Sequence, residues 1–221
     1  MTASTQMQTA ALAGVPSGIQ SSGVWAGRRQ LFIRFAGEAE TATMYTSGAL
    51  VRELSKIAGR ATFHSLCAGG RDVLGNAAFL AESLTALKPT LPVMLDTDGQ
   101  RPDALGTLTG LLTLVQVTIP FVSDPANELA LETLKAAVRD GYRHALVLAP
   151  RDETPDPVML RVIERASAVS KETAIIIHPS PAAVERGGTL ERRWASLLET
   201  TSSLHANVRL ILRVPPPAGL R

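Results

Sequence analysis

An α/β fold built on a mainly parallel sheet is what this sequence predicts, and three observations predict it. Short apolar runs alternate with segments of helical spacing along most of the chain. The runs are continuously apolar, as strands buried on both faces are. The connections are short and punctuated by Gly or Pro, which suits βα units. Six to seven such strands fit a partial or modified (β/α) TIM-like barrel. Periodicity alone also allows an open doubly wound sheet, and no tandem repeat at a fixed period stands out.

Each element has its own signal. Gln30 to Ala36 is a buried-strand run, and 47–58 has helical spacing at Leu50, Val51, Leu54 and Ile57 before a stop at Gly59. A strand over 61–68 and a long helix over 72–87 follow, with Pro89 closing the helix. Residues 92–97 predict a strand, 102–108 a short helix, and 112–121 a β-branched strand ended by Pro120. The second half repeats the rhythm: helix 127–140 up to Gly141, strand 144–149, helix 157–170, strand 173–178, helix 190–203 and strand 208–214. Pro215-Pro-Pro217 stops the last strand. The pair Gly187-Gly188 reads as loop. The first 23 residues are rich in Ser, Thr, Gln, Ala and Gly and read as a flexible tail, leaving 24–221 as a single barrel domain.

Composition narrows the function classes. At 221 residues, 45% hydrophobic and 19% charged, the chain suits one soluble domain with a sizeable core. A formal charge of +2 with scattered Lys and Arg gives no nucleic-acid signal; Arg28-Arg29 and Arg192-Arg193 are short and read as solvated surface. With 4% aromatic residues a base-stacking platform is poorly supported. No apolar run reaches the ~20 residues of a membrane span, and no secretory signal pattern opens the chain, so the expected location is cytoplasmic. The single cysteine, Cys67, excludes an internal disulfide framework and any site needing several thiolates from this chain. It lies in an apolar run and reads as a small buried hydrophobe. There is no G-x-S-x-G elbow, Walker loop, H-E-x-x-H helix or dinucleotide fingerprint.

A set of motifs in fixed order resembles the radical S-adenosylmethionine (SAM) enzyme 7-carboxy-7-deazaguanine synthase, a queuosine-pathway family. Leu31-Phe-Ile-Arg-Phe-Ala-Gly37 is similar to the lead-in of that family's C-x3-C-x2-C cluster loop. The cysteine positions fall on Glu38, Ala42 and Tyr45. Ala68-Gly69-Gly70-Arg71-Asp72 resembles the Gly-Gly-Glu-Pro motif that meets the amino end of SAM, without its Glu-Pro pair. Leu91-Pro-Val-Met-Leu-Asp-Thr-Asp-Gly99 resembles Leu-Pro-Val-x-Leu-Glu-Thr-Asn-Gly. At the family's Asp-x-Lys strand stand Thr118 and Pro120. Ile19-Gln-Ser-Ser-Gly23 is similar to Ile-Gln-Gly-Glu-Gly, Ile175-Ile-Ile-His-Pro179 to a strand ending in Leu-Gln-Pro, and Asn207-Val-Arg-Leu-Ile-Leu-Arg213 to the terminal Val-Arg strand. The resemblance spans roughly 19–219. It implies a radical SAM-type partial barrel with a ligand site at the C-terminal edge of the strands.

The resemblance also implies what is missing. A four-iron cluster is held by cysteine thiolates, and Glu38, Ala42 and Tyr45 do not supply them. The family's magnesium-side threonine falls on Ser47, beside Thr46 in place of an aspartate. No 4Fe-4S cluster and no resident metal are therefore expected, while residual SAM binding remains open. Ligand-binding candidates are Gln20, Arg34, Gly69, Gly70, Thr97 and His178. Arg34 matches a family residue that meets the substrate carboxylate; an arginine in an apolar strand needs either such a ligand or a structural ion-pair partner. The glycine pair serves either a ligand or an ordinary turn, and His178 either a ligand or the core. Asp96 and Asp98 are expected on opposite faces, hence no acid/base pair.

The leading expectation is a pseudoenzyme: a non-catalytic barrel that binds a partner protein, a second copy of itself or a small metabolite. The competing expectation is an enzyme with a SAM- or pterin-like pocket and polar, non-radical chemistry, drawing on Glu38, Glu40, Tyr45, Arg71, Asp72 or His178. Where those six side chains point discriminates between the two.

Overall fold

Two strands precede the first one that periodicity predicts. Thr9–Gly14 (β1) and Ser17–Ile19 (β2) both run antiparallel along Arg29–Phe35 (β3), with a register irregularity between Leu12 and Gly14 on β1. The fold is a computed structural model and describes residues 8–151, 153–179 and 188–212. Part of the segment expected as a flexible tail, 9–14 and 17–19, is thus sheet, which corrects that expectation there. Its strand signal is a weak one: β1 buries only Ala10 and Leu12 while the residues between them face outward. Residues 1–7, Gly187, Arg213, Val214 and Pro215–Pro217 lie outside the described residues.

The βα rhythm then unfolds as periodicity predicts. Thr43–Thr46 (β4) leads into Ser47–Ala58 (α1), whose first turn is capped by Thr46 Oγ1 accepting from the Ala49 amide at 3.2 Å. Ser65–Gly70 (β5), a 3-10 turn at Val73–Asn76 and Ala77–Leu87 (α2) follow. Val93–Thr97 (β6), a 3-10 stretch at Pro102–Leu108 and Leu114–Ile119 (β7) come next. Asp124–Arg139 (α3), Arg143–Leu148 (β8), Asp156–Val169 (α4), Ala174–Ile177 (β9), Gly188–Leu204 (α5) and Val208–Leu210 (β10) complete the order. Gly188 therefore opens a helix rather than sitting in a loop.

The strands form one open sheet in the order β10-β9-β8-β7-β6-β5-β3-β1-β4, with β2 also on β3. From β3 through β5 to β10 every pairing is parallel, which places seven strand ends on one edge. The sheet does not close, and a partial barrel is the result. β4 was not anticipated; it pairs with β1, Tyr45 opposite Ala10.

Alternate strand residues face two different apolar layers. Leu31, Ile33, Leu66, Leu95, Val117 and Ile177 pack beneath the helices with Leu50, Leu80, Leu134 and Trp194. Each such side chain contributes roughly 1.5–3 kcal/mol of burial free energy. The opposite face carries Cys67, Met94, Leu114, Val147 and Ile176, capped by Trp25. Trp25 comes from a loop closed by Gly27 N–H donating to Gln20 O at 2.8 Å and by Gln20 N–H to Arg28 O at 2.9 Å. This loop fills the interior that a closed barrel would fill with strand side chains. Gly23 touches β7 so closely that a Cβ would lie 1.8 Å from Gln116 Oε1. The Val24 amide donates to that same oxygen at 3.1 Å, and Arg209 of β10 donates to Val24 O at 3.2 Å.

Candidate functional site

Parallel strands that end together leave their last residues around a common space, and here that space is a cavity of about 340 Å³. It lies over the ends of β3, β5 and β6, with the β1–β2 link and β2 along one side. Its lining includes Gln20, Phe32, Arg34, Cys67, Gly69 and Asp96. Strand parity explains the set: Phe32 and Arg34, Cys67 and Gly69, Met94 and Asp96 share the face turned away from the helices. Four of the six sequence candidates, Gln20, Arg34, Gly69 and Gly70, come together around this cavity.

The two glycines do different things. Gly70 has φ +110, and a Cβ there would stand 2.3 Å from the Phe35 carbonyl oxygen, so the backbone itself requires glycine. At Gly69 a Cβ would meet Asp96 at 3.4 Å; its bareness opens the wall beside the acid. Thr97 faces the helices instead, buried, its Oγ1 accepting from the Gly99 amide at 3.1 Å. His178 is buried at the end of β9, with Nδ1 donating to Ile211 O at 3.0 Å and its amide to Leu148 O at 2.7 Å. Neither Thr97 nor His178 lines the cavity. The turn and the core take them.

The acid that sequence reasoning set aside is the one the cavity uses. Asp96 stands next to last in an apolar strand, half-buried, and burial pushes its pKa up from the ordinary 3.8. Gln116, Thr118 and Gln20 turn polar groups toward it and hold it down in part. Of these, the Thr118 hydroxyl donates to Asp96 Oδ1 at 3.1 Å, while Gln116 Nε2 approaches without completing a hydrogen bond. The Cys67 thiol is pushed well above its ordinary value by burial first and then by Asp96, so it is no thiolate nucleophile. The expectation that Asp96 and Asp98 face opposite ways fails on its own ground, since a spacing of two repeats one strand face. What separates them is the end of β6 at Thr97: Asp98 turns, its Oδ1 accepting from the Gln100 amide at 3.3 Å.

The positions that the resemblance sets against cluster cysteines make other contacts. Glu38 pairs with Arg71 at 2.9 Å, both side chains largely exposed. Ala42 is exposed and offers no donor atom. Tyr45 sits in β4 with its hydroxyl donating to Glu53 at 2.7 Å; that bond, then burial and the Glu53 charge, raise its pKa. This donor set does not fit an iron–sulfur cluster, and no group of three metal-ligating side chains occurs among the described residues. The remaining enzyme candidates are paired too. Arg101 holds Asp72 at 2.7 and 3.0 Å, and Glu40 binds the Arg34 guanidinium while accepting the Gly37 amide at 2.8 Å. None of Glu38, Glu40, Tyr45, Arg71, Asp72 and His178 lines the cavity.

The open, mostly parallel sheet, its helices and the cavity at the strand ends define a partial α/β barrel. No family model and no curated protein sequence matches the chain. Among solved structures it is similar to QueE from Escherichia coli, a 7-carboxy-7-deazaguanine synthase, with a TM-score of 0.62 over 94% of this chain and 95% of that chain. At 14% identity this is a likeness of fold. It agrees with the resemblance drawn from the motifs. Among the described residues no helix is long and apolar enough to cross a membrane.

Proposed function

We propose that this chain is a non-catalytic, cluster-free relative of 7-carboxy-7-deazaguanine synthase that acts as a binding scaffold, with a small metabolite held in the strand-end cavity. One contrast carries the reading. The loop where the resemblance places the cluster is spent on structural contacts, Glu38 with Arg71 and Tyr45 with Glu53, while the cavity beside it stays open, its mainly apolar walls carrying Asp96. Its volume suits a small molecule at the lower end of the usual ~300–1,000 Å³ range. A partner protein is the other occupant the scaffold reading allows.

A second reading, polar chemistry without radicals, is favoured by one observation: a half-buried Asp96 with a raised pKa beside a cavity. The carboxyl is a candidate general acid in that case, and the six acids, bases and phenol first considered are not.

Anaerobic reconstitution with iron and sulfide tests the leading reading. The protein is expected to stay colourless and to release no 5′-deoxyadenosine from SAM on reduction. A stable brown product that does so overturns it. Calorimetric titration with SAM and 6-carboxytetrahydropterin then shows whether the cavity keeps either ligand of the resembled family.

A further inference from the structure

The resemblance implies that Arg34 receives a substrate carboxylate, yet in this chain the guanidinium already has one. Glu40, six residues on, pairs with Arg34 and is itself held by the Gly37 amide at 2.8 Å. The loop thereby supplies its own anion to the arginine. Arg34 and Asp96 are the charged residues lining the cavity. With Arg34 neutralised from outside, Asp96 is left as the cavity's uncompensated charged group. Its one well-formed hydrogen bond comes from the neutral Thr118 hydroxyl. Phe32 and Cys67 supply apolar walls, and Gly69 exposes the acid's flank.

We propose that the cavity selects small ligands bearing a cationic N–H donor group, an amidinium or amine on a compact apolar body, with Asp96 as the anchoring carboxylate and Glu40 blocking anions from Arg34. This rests on the small-metabolite reading above and specifies its polarity. A carboxylate-bearing ligand meets a satisfied arginine and an acid. A ligand presenting N–H donors meets a half-buried carboxylate acceptor, and hydrogen bonds to charge are the stronger ones.

Benzamidine and benzoate share a ring and differ in the sign of their charge, so they serve as probes. Calorimetric titration of the full chain, with the Gly69 and Gly70 amide resonances followed by NMR, reads both affinity and place. Benzamidine is expected to bind and to shift those amides, and benzoate to bind at least roughly 10-fold more weakly. Asp96→Asn is expected to weaken benzamidine by roughly 10-fold or more, the usual cost of losing the charged partner of a buried hydrogen bond. Glu40→Gln, on the exposed loop, is expected to leave benzamidine bound and to strengthen benzoate. Benzoate binding as tightly as benzamidine, benzamidine indifferent to Asp96→Asn, or neither probe binding to the folded protein each overturns the proposal. SAM or 6-carboxytetrahydropterin binding that ignores Asp96→Asn would sink the polarity while leaving the scaffold reading intact. A cluster with 5′-deoxyadenosine release removes the scaffold reading instead.

Discussion

The loop over 36–46 and the cavity wall at the ends of β3, β5 and β6 are neighbours with opposite chemistries. In the loop every charged or phenolic group has found a partner, and the pairs sit near water: Arg71 and Glu38 are 62% and 85% exposed. In the wall Asp96 is half-buried with a single hydroxyl donating to it, and Gln116 behind it has a buried Nε2 without a partner. Exposed pairs contribute little to stability, whereas enclosed polar groups are costly when left open. The difference teaches that the loop's polar groups are spent on structural pairs while the wall keeps an acid whose bonding is incomplete.

Mutations sharpen that contrast. The largest effect is expected at Gly70→Ala in the wall, where the new methyl meets the Phe35 carbonyl and φ is +110. A loss of about 2–4 kcal/mol in chemical denaturation is expected; a change below about 1 kcal/mol would break the claim that this backbone needs glycine. Trp25→Ala, which empties the interior, is expected to cost about 3 kcal/mol by the same measurement. Tyr45→Phe is expected to cost about 1 kcal/mol, the net worth of one hydrogen bond. Glu38→Gln is expected to change stability by less than about 0.5 kcal/mol. A larger loss at Glu38 than at Gly70 would invert the comparison.

Asp96 gives the wall a pH signature. A carboxyl whose folded pKa is raised binds its proton more tightly folded than unfolded. Above the unfolded value, near 3.8, stability falls as pH rises through the folded value. Asp96→Asn removes that slope. Melting temperatures followed across the acidic range are expected to decline with rising pH in the parent, relative to the variant. A variant with the parent's profile would show that the acid is not held as described.

Much of the helix-and-strand order is legible because burial on both faces writes long apolar runs. α1 falls on its predicted span, and the strands from β5 to β9 lie within or close to theirs. β1, β2 and β4 leave no such trace: β1 buries two residues, and β2 and β4 bury none. The site is half legible. Gln20, Arg34 and the glycine pair are found through motif order, whereas Asp96 requires knowing which strand face looks inward. Cys67, Met94 and Trp25 answer that question only once they are seen in one layer. Glu40 is missed as Arg34's partner because a loop's hydrogen bonds depend on a turn that side-chain spacing does not specify.

The Arg209 bond to the Val24 carbonyl joins residues 185 positions apart. On a ribosome, the loop around Trp25 would emerge long before the strand that secures it. Such distant contacts slow folding, because a long loop must close before they stabilise anything. The young chain must therefore wait with an indole unburied. Chaperone dependence and aggregation during synthesis are expected to follow the fate of that one ring.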